Sequence, residues 1–459
     1  MSAGGAPAVP GSPRPRGERR ATTVLWVLAL MLPVGAIAQP WLFPSRSALP
    51  AVPLLLDAPV ILVTVAGLRA DRVHHLGCER AVTPALDDFR RAGASFESAW
   101  SSSNDERATM AAILTGLCPA ESGVRGPRDS LPNPVQTLGE RARDYGYATG
   151  AVLANPALIG ANLEQGFRHV QPLPGASADA AFSAALALLD GPLGSRYVLW
   201  IDLGDLLPPY GGAALDLSAV APDAPTGFGA SPADYGLDAA QRVARGWGDR
   251  EARWLSLRYD AALTALDAAL GRFLAALDER RQLDAAMVIV AGTRGERLDE
   301  RAGPVGAHGI DLFDPSLHVP LLVRMPARFF AGQLNDRLAL SVDIGPTIAE
   351  LGLHQAWTGV RGESLAPALR NHKPVRAALF SEGQVVADDG DRYYAYAMLA
   401  ASDKPSQAYK LITDLGGARA TVTMRLKDPD ERRLISVAPG DFKSLWKAGD
   451  AWWQGCTKP

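Results

Sequence analysis

Residues 100–119 read WSSSNDERATMAAILTGLCP, from Trp100 to Pro119. Ser101-Ser102-Ser103 reads as a loop, and the residues that follow predict a helix with Asn104 or Asp105 as its cap. Glu106 then falls in the first turn, where the helix dipole and unpaired backbone N–H groups favour a carboxylate. A helix start can also present a catalytic group, and carboxylates form covalent intermediates in some enzymes.

Outward from this stretch, strands and helices alternate. Val60 to Val65 is a nearly continuous Val/Ile/Leu run, as expected of a strand buried on both faces. Pro84 to Ala94 has helical spacing, with Leu86, Phe89 and Ala92 on one side. Thr137 to Tyr145 predicts a helix before a short strand at Ala148 to Leu153. An alanine-rich helix at Ser177 to Leu189 precedes a strand at Tyr197 to Leu203. Arg258 to Arg281 is a long amphipathic helix with Leu263, Leu266, Leu270, Phe273 and Leu277 as its buried stripe. Met287 to Val290 is the next core strand, and Asp343 to Leu351 a further helix. This alternation predicts a mostly parallel sheet covered on both faces. Gly211 to Asp238, rich in Gly, Pro, Ala and Asp, is expected to be a long surface excursion near a pocket mouth. From about Arg376 the pattern changes to short strands, with Trp446 to Trp453 as a closing helix.

At 459 residues the chain exceeds a single small core, so one large α/β domain with a smaller satellite is expected. Lys+Arg total 46 against Asp+Glu 49, a net charge of −3, which argues against a nucleic-acid partner. The three cysteines, Cys78, Cys118 and Cys456, are too few and too scattered for a disulfide framework or a zinc site, and read as small core or surface residues. Four arginines among the first twenty residues precede an apolar stretch from Ala21 to Ala38. This is the pattern of an export signal, with Ala36-Ile37-Ala38 as the cleavage site. The other possibility is an uncleaved anchor, because the stretch continues through Trp41-Leu42-Phe43 towards the roughly 20 residues needed to span a bilayer. In either case the globular part is expected outside the cytoplasmic membrane.

The run Ala111-Ala112-Ile113-Leu114-Thr115-Gly116-Leu117 closely resembles the sulfatase signature of the alkaline-phosphatase-like superfamily, C/S/T-x-P-S-R-A-x-L-L-T-G. Counting back from Thr115-Gly116, the nucleophile position falls on Glu106, the proline on Ala108, the serine on Thr109 and the arginine on Met110. VILVTVAGLRADR, Val60 to Arg72, resembles the family's first core strand and the turn after it, with the metal-binding aspartate replaced by Ala66 beside Gly67. MVIVAGTRGE, Met287 to Glu296, resembles a strand ending in T-S-D-H-G-E, whose two metal ligands are here Thr293 and Arg294. VLWIDLGDLLPPY, Val198 to Tyr210, resembles a strand ending in D-P-H-x-P-Y. It keeps Asp205, Pro209 and Tyr210 but has Leu207 for the substrate-facing histidine. His308-Gly309 retains a polar substrate-side residue. Fainter echoes extend the resemblance from about Ala58 to Pro439.

The resemblance implies an α/β, alkaline-phosphatase-like fold: a central mostly parallel sheet flanked by helices, with a small C-terminal antiparallel subdomain. The expected organisation is an export signal or membrane anchor over 1–43, a linker over 44–57, a sulfatase-like α/β domain over 58–375 and the small subdomain over 376–459. The family uses a divalent cation such as calcium. With Ala66, Gly67, Thr293 and Arg294 at the ligand positions no cofactor is expected, because hard dications need carboxylate or carbonyl oxygens and an arginine stays charged. Arg294 is expected instead to fill the cavity as a built-in cation paired with Glu106. Cys118 is not at the position where this family oxidises a cysteine to its nucleophile, and it lacks the neighbouring arginine that the modification requires.

A register one turn earlier is also open: Ser103 and Arg107 reproduce the spacing between nucleophile and arginine. His74-His75 is expected in a solvated loop. The function expected is that of an exported, catalytically inactive sulfatase-like protein with a binding or scaffolding role at the cell envelope. Its partner would be an anionic ligand or another envelope protein, with membrane contact through the N-terminal segment. The alternative is a sulfuric or phosphoric ester hydrolase or transferase with a site rebuilt from Glu106, Asp205, His308 and Arg294.

Overall fold

The computed structural model describes residues 58–79, 83–212, 215, 217, 221–237, 239–298, 306–386, 391–400, 409–414, 420–424 and 443–457. The expected export or anchor segment (1–43) and linker (44–57) lie outside them.

At the centre of the fold is β1 (Val60–Ala66), parallel to β6 (Tyr197–Leu203) on one side and β7 (Met287–Arg294) on the other. β4 (Ala148–Leu153) adds in parallel to β6, and β5 (His169–Pro172) to β4. Beyond β7, β8 (Leu321–Arg324) runs antiparallel, followed by β2 (Ala94–Phe96) and β9 (Gln333–Asn335). The eight-stranded order is β5-β4-β6-β1-β7-β8-β2-β9.

The uninterrupted apolar character of β1 follows from burial on both faces. Ile61, Val63 and Val65 point into one core, and Val60 and Leu62 into the other. The first core is covered by the Pro84–Arg91, Ala178–Leu189 and Asp249–Glu279 helices. The last begins nine residues before the expected Arg258, and its stripe from Leu255 to Leu277 faces the sheet. The second core is covered by the Glu106–Thr115, Leu138–Asp144 and Ile344–Leu351 helices.

Two further strands, β3 (Ala99–Trp100) and β10 (Ala339–Leu340), pair beside the sheet. At the C-terminal end, β11 (Ala378–Val386), β12 (Arg392–Ala400), β13 (Tyr409–Asp414) and β14 (Ala420–Met424) form a four-stranded antiparallel sheet, with a helix at Lys443–Thr457. Trp100, Leu312 and Leu340 pack against Leu379, Ala397, Leu399 and Ile412 of this sheet. The fold is therefore the α/β class with a central, mostly parallel sheet flanked by helices and a small C-terminal antiparallel sheet. Among the described residues no helix is long and apolar enough to cross a membrane.

Candidate active-site pocket

Ligands in open α/β sheets bind at the carboxyl ends of the strands, and the three central strands converge there. A register shift between Val65 and Ala66 sets Ala66 opposite Arg294 rather than Thr293. The chain then leaves β1 through Gly67, at φ +79°, where an added Cβ would lie 2.5 Å from the Leu206 carbonyl oxygen. Gly67 is thus a packing requirement, and its own carbonyl accepts from the Tyr259 hydroxyl at 2.7 Å. Arg69 braces the turn: its guanidinium forks onto Asp71 at 2.9 and 2.6 Å and donates to the Glu296 carbonyl at 2.8 Å, tying the exit of β1 to that of β7.

The helix start is capped by Asp105, whose side chain accepts from the Ala108 N–H at 3.1 Å. Its end is a glycine cap: Gly116 stands at φ +68° and donates to the Ala112 carbonyl, while the Thr115 hydroxyl donates back to Ala111. The Thr-Gly pair therefore records a helix stop. Ala108, Thr109 and Met110 are fully buried. Thr109 holds the preceding loop through Ser101 and the Ser103 carbonyl, and Met110 belongs to the core. None of the three reaches the pocket.

Glu106 does reach it, and its carboxylate is enclosed. Thr293 donates to Oε1 at 2.6 Å, and Arg294 Nε lies 3.1 Å from Oε2, a distance for an ion pair without the alignment of a hydrogen bond. The guanidinium also meets Glu296 Oε2 at 3.3 Å and the Gly295 carbonyl at 2.8 Å. The side chains of Glu106, Arg294 and Glu296 are 6%, 2% and 0% exposed, so this is a buried cluster in which one cation serves two carboxylates. Burial pushes the Glu106 carboxyl up, against the pull of Arg294 and the Thr293 hydrogen bond. Burial also disfavours the Arg294 charge, but Glu296, Glu106 and Asp105 together raise its pKa. In the core beside the cluster, Asp202 of β6 is pushed well up by burial and by Glu106, against the hydroxyl of Thr64 that donates to it.

The cavity above this cluster is about 240 Å³. Leu207 and His308 lie on its wall, as do Arg107, Arg125, Gln384 and Arg392. His308 is half-exposed, with Nδ1 3.7 Å from Glu296 Oε1. The long guanidinium of Arg107 is committed to the carbonyls of Ala157, Asp129 and Ile159 at 2.7, 2.9 and 3.0 Å, while Ser103 is buried. The earlier register is therefore closed.

Three expectations need correction. Asp205 is not a pocket residue: its Oδ1 accepts from the Ala178 N–H at 2.9 Å, at the start of the Ala178–Leu189 helix, where orphan donors draw a carboxylate. His74 and His75 are not simply solvated. Their Nδ1 atoms clamp Asp87 at 2.6 and 3.1 Å, and the His75 side chain is only 5% exposed. Cys118 and Cys456 are not scattered but meet in space.

Sequence reasoning singles out neither Glu296 nor Asp202, although both stand inside the strand motifs; for Asp202 the signal is an acid near the end of an otherwise apolar strand, whereas Glu296 lies two residues past the end of β7. Gln384 and Arg392 come from the C-terminal sheet, far along the chain, and carry no local signal.

The family model for sulfatases matches residues 59–180 and 237–353. A multifunctional alkaline phosphatase superfamily protein of Trinickia caryophylli is 31% identical over 127 residues, 27% of this chain and 24% of that protein. An N-acetylglucosamine-6-O-sulfatase of Bacteroides thetaiotaomicron is 26% identical over 160 residues, 34% of this chain and 26% of that protein. The matched regions thus span about a quarter of the length of these relatives. A phosphonate monoester hydrolase of Agrobacterium radiobacter superposes with a TM-score of 0.66 at 17% identity, covering 87% of this chain and 95% of that one. With the family model spanning more than half of the chain and the central sheet carrying its motifs in order, the protein belongs to the sulfatase family.

Proposed function

We propose that this is a sulfatase-family protein whose hydrolytic centre has been dismantled and whose pocket mouth binds an anionic group, in a binding or scaffolding role at the cell envelope. The observation that carries this reading is the closed cluster of Thr293, Glu106, Arg294 and Glu296. Ester hydrolysis in this superfamily depends on a dication that holds the nucleophile and neutralises charge on the transferred group. The residues present do not fit such an ion. Ala66 offers no donor, Gly67 has no room for a side chain, the Thr293 hydroxyl is taken by Glu106, and Arg294 is a permanent cation in the ligand position. A nucleophilic Glu106 would have to attack an anionic ester while already paired and buried.

The mouth has the opposite character. Arg125, Arg392 and His308 line it, with the Gln384 side chain beside them. The Arg125 guanidinium stands over the rings of Tyr394 and Trp453, at 5.3 and 5.1 Å from their centroids. Guanidinium groups presented on a rigid aromatic backing suit sulfate, phosphate or carboxylate oxygens. The envelope location rests on the arginine-flanked apolar stretch of the first 43 residues.

The rival reading, a hydrolase or transferase with a rebuilt site, draws on one observation: Glu106 and His308 open on the same cavity. Turnover of an aryl sulfate, an aryl phosphate and a phosphonate monoester separates the two. No turnover above a Glu106→Ala control is expected, together with calorimetric binding of inorganic sulfate that weakens about tenfold or more in Arg392→Ala. Turnover abolished by Glu106→Ala or His308→Ala would overturn the proposal in favour of the rival.

A further inference from the structure

We propose that Cys118, Glu121 and Cys456 form a binding site for a soft divalent cation of the zinc class, with one coordination position left for an exogenous ligand. Cys118 caps the short Pro119–Ser122 helix, just past the end of the helix that starts at Glu106. Cys456 arrives from the Lys443–Thr457 helix. The two sulfurs and a Glu121 carboxylate oxygen all lie within 4.8 Å of one another. Tetrahedral zinc, with ligands at about 2.0–2.3 Å, places its donors roughly 3.7 Å apart, so only a small closure is needed. Both cysteines are nearly buried, and the partial exposure of Glu121 leaves a path for the ion.

The surroundings are those of an oriented site. The Cys118 N–H and thiol both face Glu121 Oε2, at 3.3 and 3.2 Å. Arg361 Nε donates to the other oxygen, Oε1, at 2.6 Å, leaving Oε2 directed at the sulfurs. The same guanidinium reaches the carbonyl of Gly455, next to Cys456. A hydrogen-bonded outer partner that fixes a ligating carboxylate is a general feature of metal sites. The formal charge also closes. Two thiolates, one carboxylate, one guanidinium and a dication sum to zero, and the buried Glu382 carboxyl beside Cys118, pushed up to about 7 by burial, adds at most one further negative charge. Sulfur donors favour zinc over the hard cations that sulfatases use. Binding displaces two thiol protons to solvent and pins the C-terminal helix to the segment that follows the Glu106 helix. The site uses none of the Glu106 cluster's residues and lies about 15 Å from Glu106 along that helix by its rise per residue, although the helix that carries Cys456 also carries Trp453, which backs Arg125 at the pocket mouth.

Cobalt(II) titration of the full chain, followed by zinc displacement, tests the site. The expected result is a tetrahedral cobalt spectrum with a thiolate charge-transfer band at one equivalent, which reports sulfur ligation in the unaltered protein. The band should vanish in Cys118→Ser and in Cys456→Ser, persist in Cys78→Ser, and need about 10–100-fold more metal in Arg361→Ala. No thiolate band, or binding unchanged in both cysteine variants, would overturn the proposal. So would closure of the two cysteines into a disulfide, seen as a fall from three titratable thiols to one in oxidised glutathione. Metal found in the protein but lost in Cys118→Ser belongs to this site and leaves the reading of the Glu106 pocket untouched.

Discussion

At the scale of single residues, Arg294 decides the character of the pocket. Its guanidinium lies between Glu106 and Glu296 and pairs with both, and all three are almost wholly buried. Removing one partner of such a cluster leaves uncompensated buried charge, so Arg294→Ala is expected to cost about 3–5 kcal/mol in urea denaturation. The loss should shrink when Glu106→Gln is added, because the two sites share one interaction. Asp202 supplies a pH signature. Its folded pKa is raised well above 3.8, by burial first and by Glu106 second. The folded protein therefore holds a proton that the unfolded chain has released, and this contribution is complete below the ordinary carboxylate range and lost as pH rises through the raised value. Within that window each pH unit costs about 1.4 kcal/mol. Asp202→Asn should flatten this part of the stability–pH curve, and an unchanged slope relative to the parent would contradict the assignment.

At the scale of elements, the junction of β1 with its turn limits what one substitution can do at the site that we propose is dismantled. The backbone at Gly67 is left-handed and lies against the Leu206 carbonyl. Gly67→Asp returns a carboxylate to a ligand position, yet its Cβ has nowhere to go. The expected outcome is a destabilisation of about 3 kcal/mol with no gain in calcium affinity at the pocket, read by thermal melts with and without the ion. The helix from Glu106 to Thr115 was legible because its signals are local: an aspartate cap, an apolar run and a glycine stop. The Asp249–Glu279 helix begins before the Arg258 that its apolar stripe predicts. Its first two turns contain Asp249, Arg250, Glu251 and Arg253, which show little apolar periodicity until Trp254 and Leu255 reach the core.

At the scale of the molecule, the C-terminal sheet is part of the pocket. The Asn104 side chain donates to the carbonyls of Asp311 and Gln384 at 2.8 and 2.7 Å, and Ser381 and Glu382 bond to the backbone of Ser101 and Ser102. Ending the chain before Ala378 should therefore remove Gln384 and Arg392 from the mouth and unsettle the loop that positions Glu106. Loss of sulfate binding with a broadened, less cooperative melt is expected, and a truncated chain that binds sulfate like the parent would refute this coupling. The strands, most helices and the altered signature positions were legible in the chain alone, because burial on two faces, capping and helical spacing are written within a few neighbouring residues. The pairing of Arg294 with Glu106 was legible too, but that Glu296 shares the same guanidinium, that Asp205 turns away to a helix N-terminus, and that Cys118 faces Cys456 were not. The first two depend on where the chain turns as it leaves a strand, and the third joins residues more than three hundred positions apart; neither leaves a periodicity for a sequence to display.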